Sequence, residues 1–306
     1  MKGRSLVSAA DLSCAEVEQL LESAQALKRE PRGFQPLARR VLAMIFEKPS
    51  LRTRVSFETG MVQLGGHAIY LAPADIQLGR REAVADVARN LSRMCDGIMA
   101  RTFAHATVAE LAEHATVPVI NGLCDLEHPC QGLADVLTIH EVKGLDRRPT
   151  VAYIGDGNNV CHSLMILAET LGLPMRVGCP AGYEPLLAIR ERCPGTVVVN
   201  NAREAADGAD VVYTDVWASM GQEDEIEERN GIFAAYQVDE EMMARAGKGA
   251  LFLHCLPAHR GAEVTAAVMD GPHSIVFDNA ENRLHVQKAI LALLLNDPRY
   301  QRKTKD

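Results

Sequence analysis

Val41-Leu42-Ala43-Met44-Ile45-Phe46-Glu47-Lys48-Pro49-Ser50-Leu51-Arg52-Thr53-Arg54-Val55-Ser56-Phe57-Glu58 is the stretch from which the fold is read. The apolar run Val41–Phe46 predicts a buried strand, and Pro49 breaks it. Ser50 stands where a helix N-cap belongs. From there Val55 pairs with Val62, and Phe57 with Met61 and Leu64, at helical spacing, and Gly65-Gly66 closes the helix. A strand that turns directly into a helix is the unit of a parallel α/β sheet. The same reading sets Ser50, Arg52, Thr53 and Arg54 in the first helical turn, where backbone N–H groups lack partners and the dipole end is positive. Two readings stand at this point: a capping serine with solvated arginines, or a phosphate site.

Working outward, a helix is expected over 8–29, capped by Ser8 or Asp11, with Val17, Leu20, Leu21, Ala24 and Leu27 as its stripe. Strands are expected at 68–72, 97–101 and 117–120, with helices through 84–91, 109–114 and 133–142. A loop with Asp75, Gln77, Gly79, Arg80 and Arg81 lies between. The polar, turn-rich run Lys143 to Pro149 follows the helix near which the chain should divide. A second alternation has strands at 150–155, 174–179, 196–200, 209–214 and 249–254, and a long helix at 280–296 ends it. The expected fold class is α/β, with two domains, each a parallel sheet flanked by helices. Their expected ranges are 1–135 and 136–285, with a C-terminal helix at 286–306 packing back on the first domain.

Bulk properties narrow the function. The chain has 306 residues, 47% hydrophobic and 24% charged, the profile of a soluble globular protein. A net charge of −8 argues against a nucleic-acid partner. No apolar span is long enough for a membrane helix, and the N-terminus lacks a signal-like apolar core. Eight cysteines without a repeated spacing suit reduced thiols in a cytosol. The tail 301–306 is expected to fray.

The second half carries a trap. Gly155-Asp156-Gly157-Asn158-Asn159-Val160 begins like a dinucleotide fingerprint, but Val160 replaces the third glycine and the ribose-binding acid is missing. A tight turn at a strand's carboxyl end is the better reading, and open α/β sheets bind ligands there. Asn159 then either points an amide at a ligand or caps the helix. Three further strand ends carry polar clusters. In Thr214 to Glu223, Asp215 can accept from an ammonium group, or the segment is an ordinary capped loop. In His254 to Gly261, the apolar run before it delivers Cys255 to the sheet's edge, as a functional or a buried structural thiol. In Asp278 to Arg283, Arg283 either joins a site or is solvated. Cys124, His128 and Cys130 have no second cluster at zinc spacing, and nothing fixes a base beside a particular cysteine for thiol hydrolysis.

Taken together, Ser50-Leu51-Arg52-Thr53-Arg54, His128-Pro129-Cys130-Gln131, Asp215-Val216-Trp217-Ala218-Ser219-Met220-Gly221 and His254-Cys255-Leu256-Pro257 resemble the ornithine carbamoyltransferase family, in its order and over nearly the whole chain. The resemblance implies carbamoyl transfer from carbamoyl phosphate to the δ-amine of L-ornithine, giving L-citrulline and phosphate in arginine metabolism, in the cytoplasm and with no metal or organic cofactor. By this resemblance Ser50, Leu51, Arg52 and Thr53 hold the phosphate, with Arg283 completing the clamp. Arg101 bridges phosphate and carbonyl oxygen, His128 donates to that oxygen, and Gln131 orients the carbamoyl amide. Cys255 and Leu256 line the carbamoyl group and the amine. Asn159, Asp215, Ser219 and Met220 hold ornithine's amino-acid end. The catalytic set is Arg101, His128 and Cys255. A homotrimer or a multiple of it is implied, in which Gln77 reaches a neighbouring subunit's site. Leu51 departs from the family's commoner Thr, but that position contributes mainly a backbone N–H. Sister transferases acting on N-acylated ornithine, putrescine or aspartate, a nicotinamide dehydrogenase, and a non-catalytic homologue are the alternatives.

Overall fold

The computed structural model describes residues 1–30, 33–218 and 223–296. The chain forms two compact units. Unit 1 is Met1–Leu133 with the segment from Arg283 onward, and unit 2 is Ala134–Asn282.

Unit 1 runs α1 (Cys14–Arg29), β1 (Val41–Phe46), α2 (Leu51–Gln63), β2 (His67–Leu71), α3 (Pro73–Ile76), α4 (Val84–Met94), β3 (Gly97–Arg101), α5 (His105–His114), β4 (Val119–Leu123) and the start of α6 (Pro129–Lys143). Its sheet has the order β2-β1-β3-β4, all parallel. Unit 2 continues with β5 (Val151–Ile154), α7 (Asn159–Leu171), β6 (Met175–Gly178), α8 (Leu187–Arg192), β7 (Thr196–Val199), α9 (Ala202–Ala206), β8 (Val211–Thr214), α10 (Ile226–Phe233), α11 (Glu240–Arg245), β9 (Leu251–His254), α12 (Ala266–Met269) and the start of α13 (Val276–Leu295). Its sheet is β7-β6-β5-β8-β9, again all parallel. The α/β class with two parallel sheets is therefore as the alternation predicts. Among the described residues no helix is long and apolar enough to cross a membrane.

Both strands at the centre of these sheets are apolar runs because helices cover both faces. Leu42 through Phe46 are buried, and so are Val151 through Ile154. In unit 1 the core around Ile45, Ile98 and Ala100 takes in Val87, Val108 and Leu111 from α4 and α5. In unit 2 Trp217, Phe233, Phe252 and Met242 pack around Ile154 and Val212. The later part of α13 lies on unit 1. A methyl group added at Gly60 of α2 would sit 3.3 Å from Lys288 Cγ and 3.8 Å from a Leu291 methyl, so the small residue lets the helices approach.

Several expected boundaries change. The helix expected over 8–29 is two pieces. Ser8 caps a single 3-10 turn, Ala9–Asp11, and Ser13 caps α1 by accepting from the Glu16 N–H. Each cap is a reciprocal box, and two such boxes five residues apart end one element and begin another. On α2 the buried stripe is Phe57, Met61 and Leu64, whereas Val55 and Val62 are exposed. Helical spacing alone does not say which of two apolar faces is covered. Part of the loop through 75–81 is the short helix α3, started by Pro73 at its first position. Three helices begin earlier than expected, α5 at His105 rather than 109, α6 at Pro129 rather than 133 and α13 at Val276 rather than 280. The tail 301–306 lies outside the described residues.

Candidate active site

In a parallel α/β sheet every strand delivers its carboxyl end to the same edge, and ligands bind there. In unit 1 that edge is set by register. Phe46 of β1 is level with Arg101 of β3, and Arg101 with Leu123 of β4. Strand order reverses between β1 and β3. Ser50 follows β1, Arg101 ends β3 and His128 follows β4.

Ser50 caps α2, its Oγ accepting from the Thr53 N–H at 3.4 Å and donating to Thr53 Oγ1 at 3.1 Å. Thr53 is fully buried. Its Oγ1 also accepts from Arg283 on α13 at 2.9 Å. Arg101 and Arg283 are each 4% exposed. Arg52 Nε is buried and hydrogen-bonds to no atom among the described residues. Burying guanidinium groups together is costly unless an anion joins them. At Leu51 the side chain is 75% exposed, so what this residue offers the site is its N–H in the first helical turn. The described geometry is that of an anion cradle: a helix N-terminus, two hydroxyls and three guanidinium groups.

His128 precedes α6, and its carbonyl accepts from Gln131 and Gly132. The neighbouring Glu127 is buried and accepts from Ser8 Oγ and the Ala9 N–H, which ties this turn to the N-terminal segment. Burial, then Arg283, Arg101, Arg52 and Lys48, hold the His128 pKa well below the ordinary value. The imidazole is therefore neutral at pH 7 and can donate only one N–H. Gln131 is 1% exposed on the first turn of α6. Lys48, whose ammonium lies 4.8 Å from the Phe103 ring centre, has its pKa lowered by burial and by Arg101. Sequence reasoning assigned Lys48 no role. Its position two residues before Ser50 was the available signal. Gln77, exposed and left-handed at φ 44° at the end of α3, lines a cavity with Phe46, Glu47 and Phe103.

Unit 2 presents a different chemistry at the equivalent edge. Ile154, Thr214 and His254 are level across β5, β8 and β9, so the residues that follow them lie side by side. Asp215 is 7% exposed. Its Oδ1 accepts from Cys255 Sγ at 2.9 Å and from the Val216 N–H at 2.8 Å, and its Oδ2 accepts from Asn158 Nδ2 at 2.9 Å. Asn158, not Asn159, caps α7, through Oδ1 to the N–H groups of Val160 and Cys161. Asn159 is the helix's first residue. The alternative that Asn159 itself is the cap is thus corrected by one position. A buried Tyr153 hydroxyl donates to the same Asn158 oxygen at 3.1 Å. The role of this amide was missed because cap position cannot be chosen between two adjacent asparagines from sequence, and the Asp156–Arg229 ion pair at 2.8 Å because its partners are 73 residues apart. Gly157 is explained without a nucleotide: a Cβ there would lie 2.2 Å from Pro185 N. After Cys255 the chain takes a left-handed Leu256, φ 60°, and a cis Leu256-Pro257 bond. Ser219 and Met220 lie outside the described residues.

The profile described as aspartate/ornithine carbamoyltransferase, carbamoyl-P binding domain, matches residues 4–141, and that of the Asp/Orn binding domain matches residues 148–294. The chain belongs to the aspartate/ornithine carbamoyltransferase family. A relative named ornithine carbamoyltransferase from Carboxydothermus hydrogenoformans is 56% identical, over 96% of this chain and 98% of its own. One from Pseudomonas aeruginosa, named ornithine carbamoyltransferase, anabolic, is 51% identical, over 98% of this chain and all of its own. The solved structure of ornithine carbamoyltransferase from Pyrococcus furiosus is similar with a TM-score of 0.92 at 49% identity, covering 96% of this chain and 97% of that one.

For a carbamoyltransferase the metal question is specific. Among the described residues, the group whose ligand atoms lie within 4.8 Å of one another is Asp215, His254 and Cys255, and Cys124, His128 and Cys130 form no such group. Cys130 is buried, which pushes its thiol up to about 12, so it remains protonated at neutral pH. In the Asp215 group, His254 Nδ1 accepts from the Leu256 N–H at 2.8 Å and Nε2 faces Glu263 at 3.2 Å. Both imidazole nitrogens are committed, and a cation would have to break one of these bonds.

Proposed function

We infer that the protein transfers the carbamoyl group of carbamoyl phosphate to the δ-amine of L-ornithine, giving L-citrulline and phosphate. The reading is carried by one contrast. Unit 1 gathers Arg52, Arg101 and Arg283 about a helix N-terminus, and unit 2 gathers Asp215 and Cys255 at the ends of β8 and β9. The first suits a dianion and the second an ammonium group. The names of relatives more than 50% identical agree with it.

In this mechanism Ser50, Arg52, Thr53, Arg283 and the Leu51 N–H hold the phosphate. The δ-amine lone pair forms a bond to the carbonyl carbon. The C–O bond to phosphate then breaks, its electron pair leaves with phosphate, and the amine nitrogen gives up a proton. Negative charge grows on the carbonyl oxygen in between. Arg101 and the one N–H of His128 are the donors fixed there, and fixed donors cost no reorganisation as charge develops. Gln131 orients the carbamoyl amide. Asn159, Asp215, Ser219 and Met220 hold the amino-acid end of ornithine, and Cys255 with the Leu256 backbone lines the amine. An aspartate substrate would place its own carboxylates against Asp215, and putrescine has no α-amine or α-carboxylate to use these groups.

The same reading extends to assembly and place. α2 leaves Leu51, Val55 and Val62 exposed on one face, an apolar stripe that another copy can cover. We take the protein as a homotrimer, or a multiple of it, in which Gln77 serves a neighbouring site. We place it in the cytoplasm, in arginine metabolism. None of the eight cysteines is in a disulfide, which suits a reducing compartment. Light scattering after gel filtration tests the assembly, and a monomer would overturn it. The activity is tested by incubating the protein with carbamoyl phosphate and each of ornithine, N-acetylornithine, putrescine and aspartate. Citrulline and phosphate in equal amounts from ornithine are expected. Faster turnover of another amine would overturn the choice of acceptor.

A further inference from the structure

We propose that Glu263 is a positioning residue for the amine half-site, acting through His254 on the backbone of Leu256 and the placement of Cys255. The proposal rests on the transferase reading above. Glu263 is 1% exposed, and His254 at the end of β9 is fully buried. A buried carboxylate is retained only where hydrogen bonds satisfy it. Here one oxygen, Oε1, takes both: His254 Nε2 at 3.2 Å and the His259 N–H at 2.5 Å. Burial works against the charge, but the bonds from His254 and His259 outweigh it, and the carboxyl lies below its usual value.

The consequence falls on the other imidazole nitrogen. Nδ1 accepts from the Leu256 N–H at 2.8 Å, so the proton must sit on Nε2. An acceptor at Nε2 is what selects that tautomer. Without Glu263 the ring is free to carry its proton on Nδ1, where it would oppose the Leu256 N–H, donor against donor. Leu256 holds a left-handed φ of 60°, a conformation that a branched residue keeps only when its surroundings impose it. Cys255, immediately before it, donates to Asp215 Oδ1 at 2.9 Å. Glu263 thus sits two hydrogen bonds in series from the Leu256 backbone, and its own carbonyl also accepts from the Val238 N–H at 2.9 Å.

Two substitutions separate an acceptor from a charge. Glu263→Gln keeps an oxygen able to accept from both His254 and His259, whereas Glu263→Ala removes it. For folded Glu263→Ala, kcat/KM for ornithine is expected to fall by about tenfold or more, with inorganic phosphate bound as in the wild type. Glu263→Gln should stay within about threefold of wild type. Nitrogen NMR of the wild-type protein labelled in histidine should show His254 with its proton on Nε2, a readout that needs no variant to fold. The proposal is overturned if wild-type His254 carries its proton on Nδ1, if folded Glu263→Ala turns over ornithine normally, if phosphate binding weakens in parallel, or if Glu263→Gln is as impaired as Glu263→Ala. A wild-type protein that makes no citrulline overturns the transferase reading instead, while the tautomer measurement still stands.

Discussion

The two units solve the same folding problem and present opposite charge. Each is a parallel sheet that aligns neighbouring strand ends, Phe46 with Arg101 in unit 1 and Thr214 with His254 in unit 2. In unit 1 the residues beyond those ends are donors: arginines, a helix N-terminus and a neutral histidine. In unit 2 they are an aspartate, a thiol and an amide that caps α7. The scaffold fixes only where side chains emerge. A transfer reaction asks for one pole that stabilises an anionic leaving group and another that receives a cationic acceptor, and the residue types after each strand supply them.

The contrast can be broken from either side. The largest effect is expected from Arg101→Ala, which removes a donor from the point of developing charge. Its kcat should fall by about 10²–10³, measured as citrulline released under saturating substrates. A loss confined to KM would mean that Arg101 only binds. Arg52→Ala should act on binding, raising the KM for carbamoyl phosphate by about 10–100-fold, as expected for a charged hydrogen-bond partner. Unchanged affinity for that substrate would remove Arg52 from the cradle. From the other unit, Asp215→Asn should raise the ornithine KM by about tenfold or more and leave phosphate binding, followed by calorimetry, as it was. Equal damage to both ligands would erase the distinction between the halves.

The smallest effect is a titration. The ordinary histidine pKa is about 6.5, and His128 lies well below it in the folded protein because of burial and four neighbouring cations. Between those two values the unfolded chain binds more protons than the folded one. Stability contributed by the neutral ring is therefore present above about 6.5 and is lost as pH falls toward the folded value. Phosphate in the cradle offsets the repulsion, so it should raise the His128 pKa and lessen the acid sensitivity of thermal unfolding. NMR titration of the imidazole with and without phosphate checks this. A pKa that does not move would place the anion elsewhere.

Much of this was legible in the sequence, for identifiable reasons. The central strands are continuous apolar runs, and a run of that kind marks a doubly covered strand, so the strands expected at 97–101 and 150–155 lie within a residue of the observed ones. Ser50, Arg52 and Thr53 were legible as a cluster at one helix start because they are nearly contiguous. What was not legible depends on contacts distant in sequence. Arg283 reaches Thr53 across 230 positions, and the residues alone left open whether it joins a site or is solvated. Asn158 was passed over for Asn159 because one step of register decides which amide meets Asp215. Glu263 went unnoticed because its partners, His254 and His259, are defined by a turn whose backbone the sequence does not reveal.

The central claim is that the acceptor amine must attack, as the neutral base, the carbonyl carbon of carbamoyl phosphate. A free alkyl amine has a pKa near 10, so its neutral fraction grows about tenfold per pH unit through neutrality, while His128 is already neutral there. The most direct test is kcat/KM for ornithine, read as citrulline and phosphate formed in equal amounts, from pH 6 to 9. A rate that climbs into the alkaline range is predicted, and a flat profile, or phosphate released without citrulline, would contradict the account.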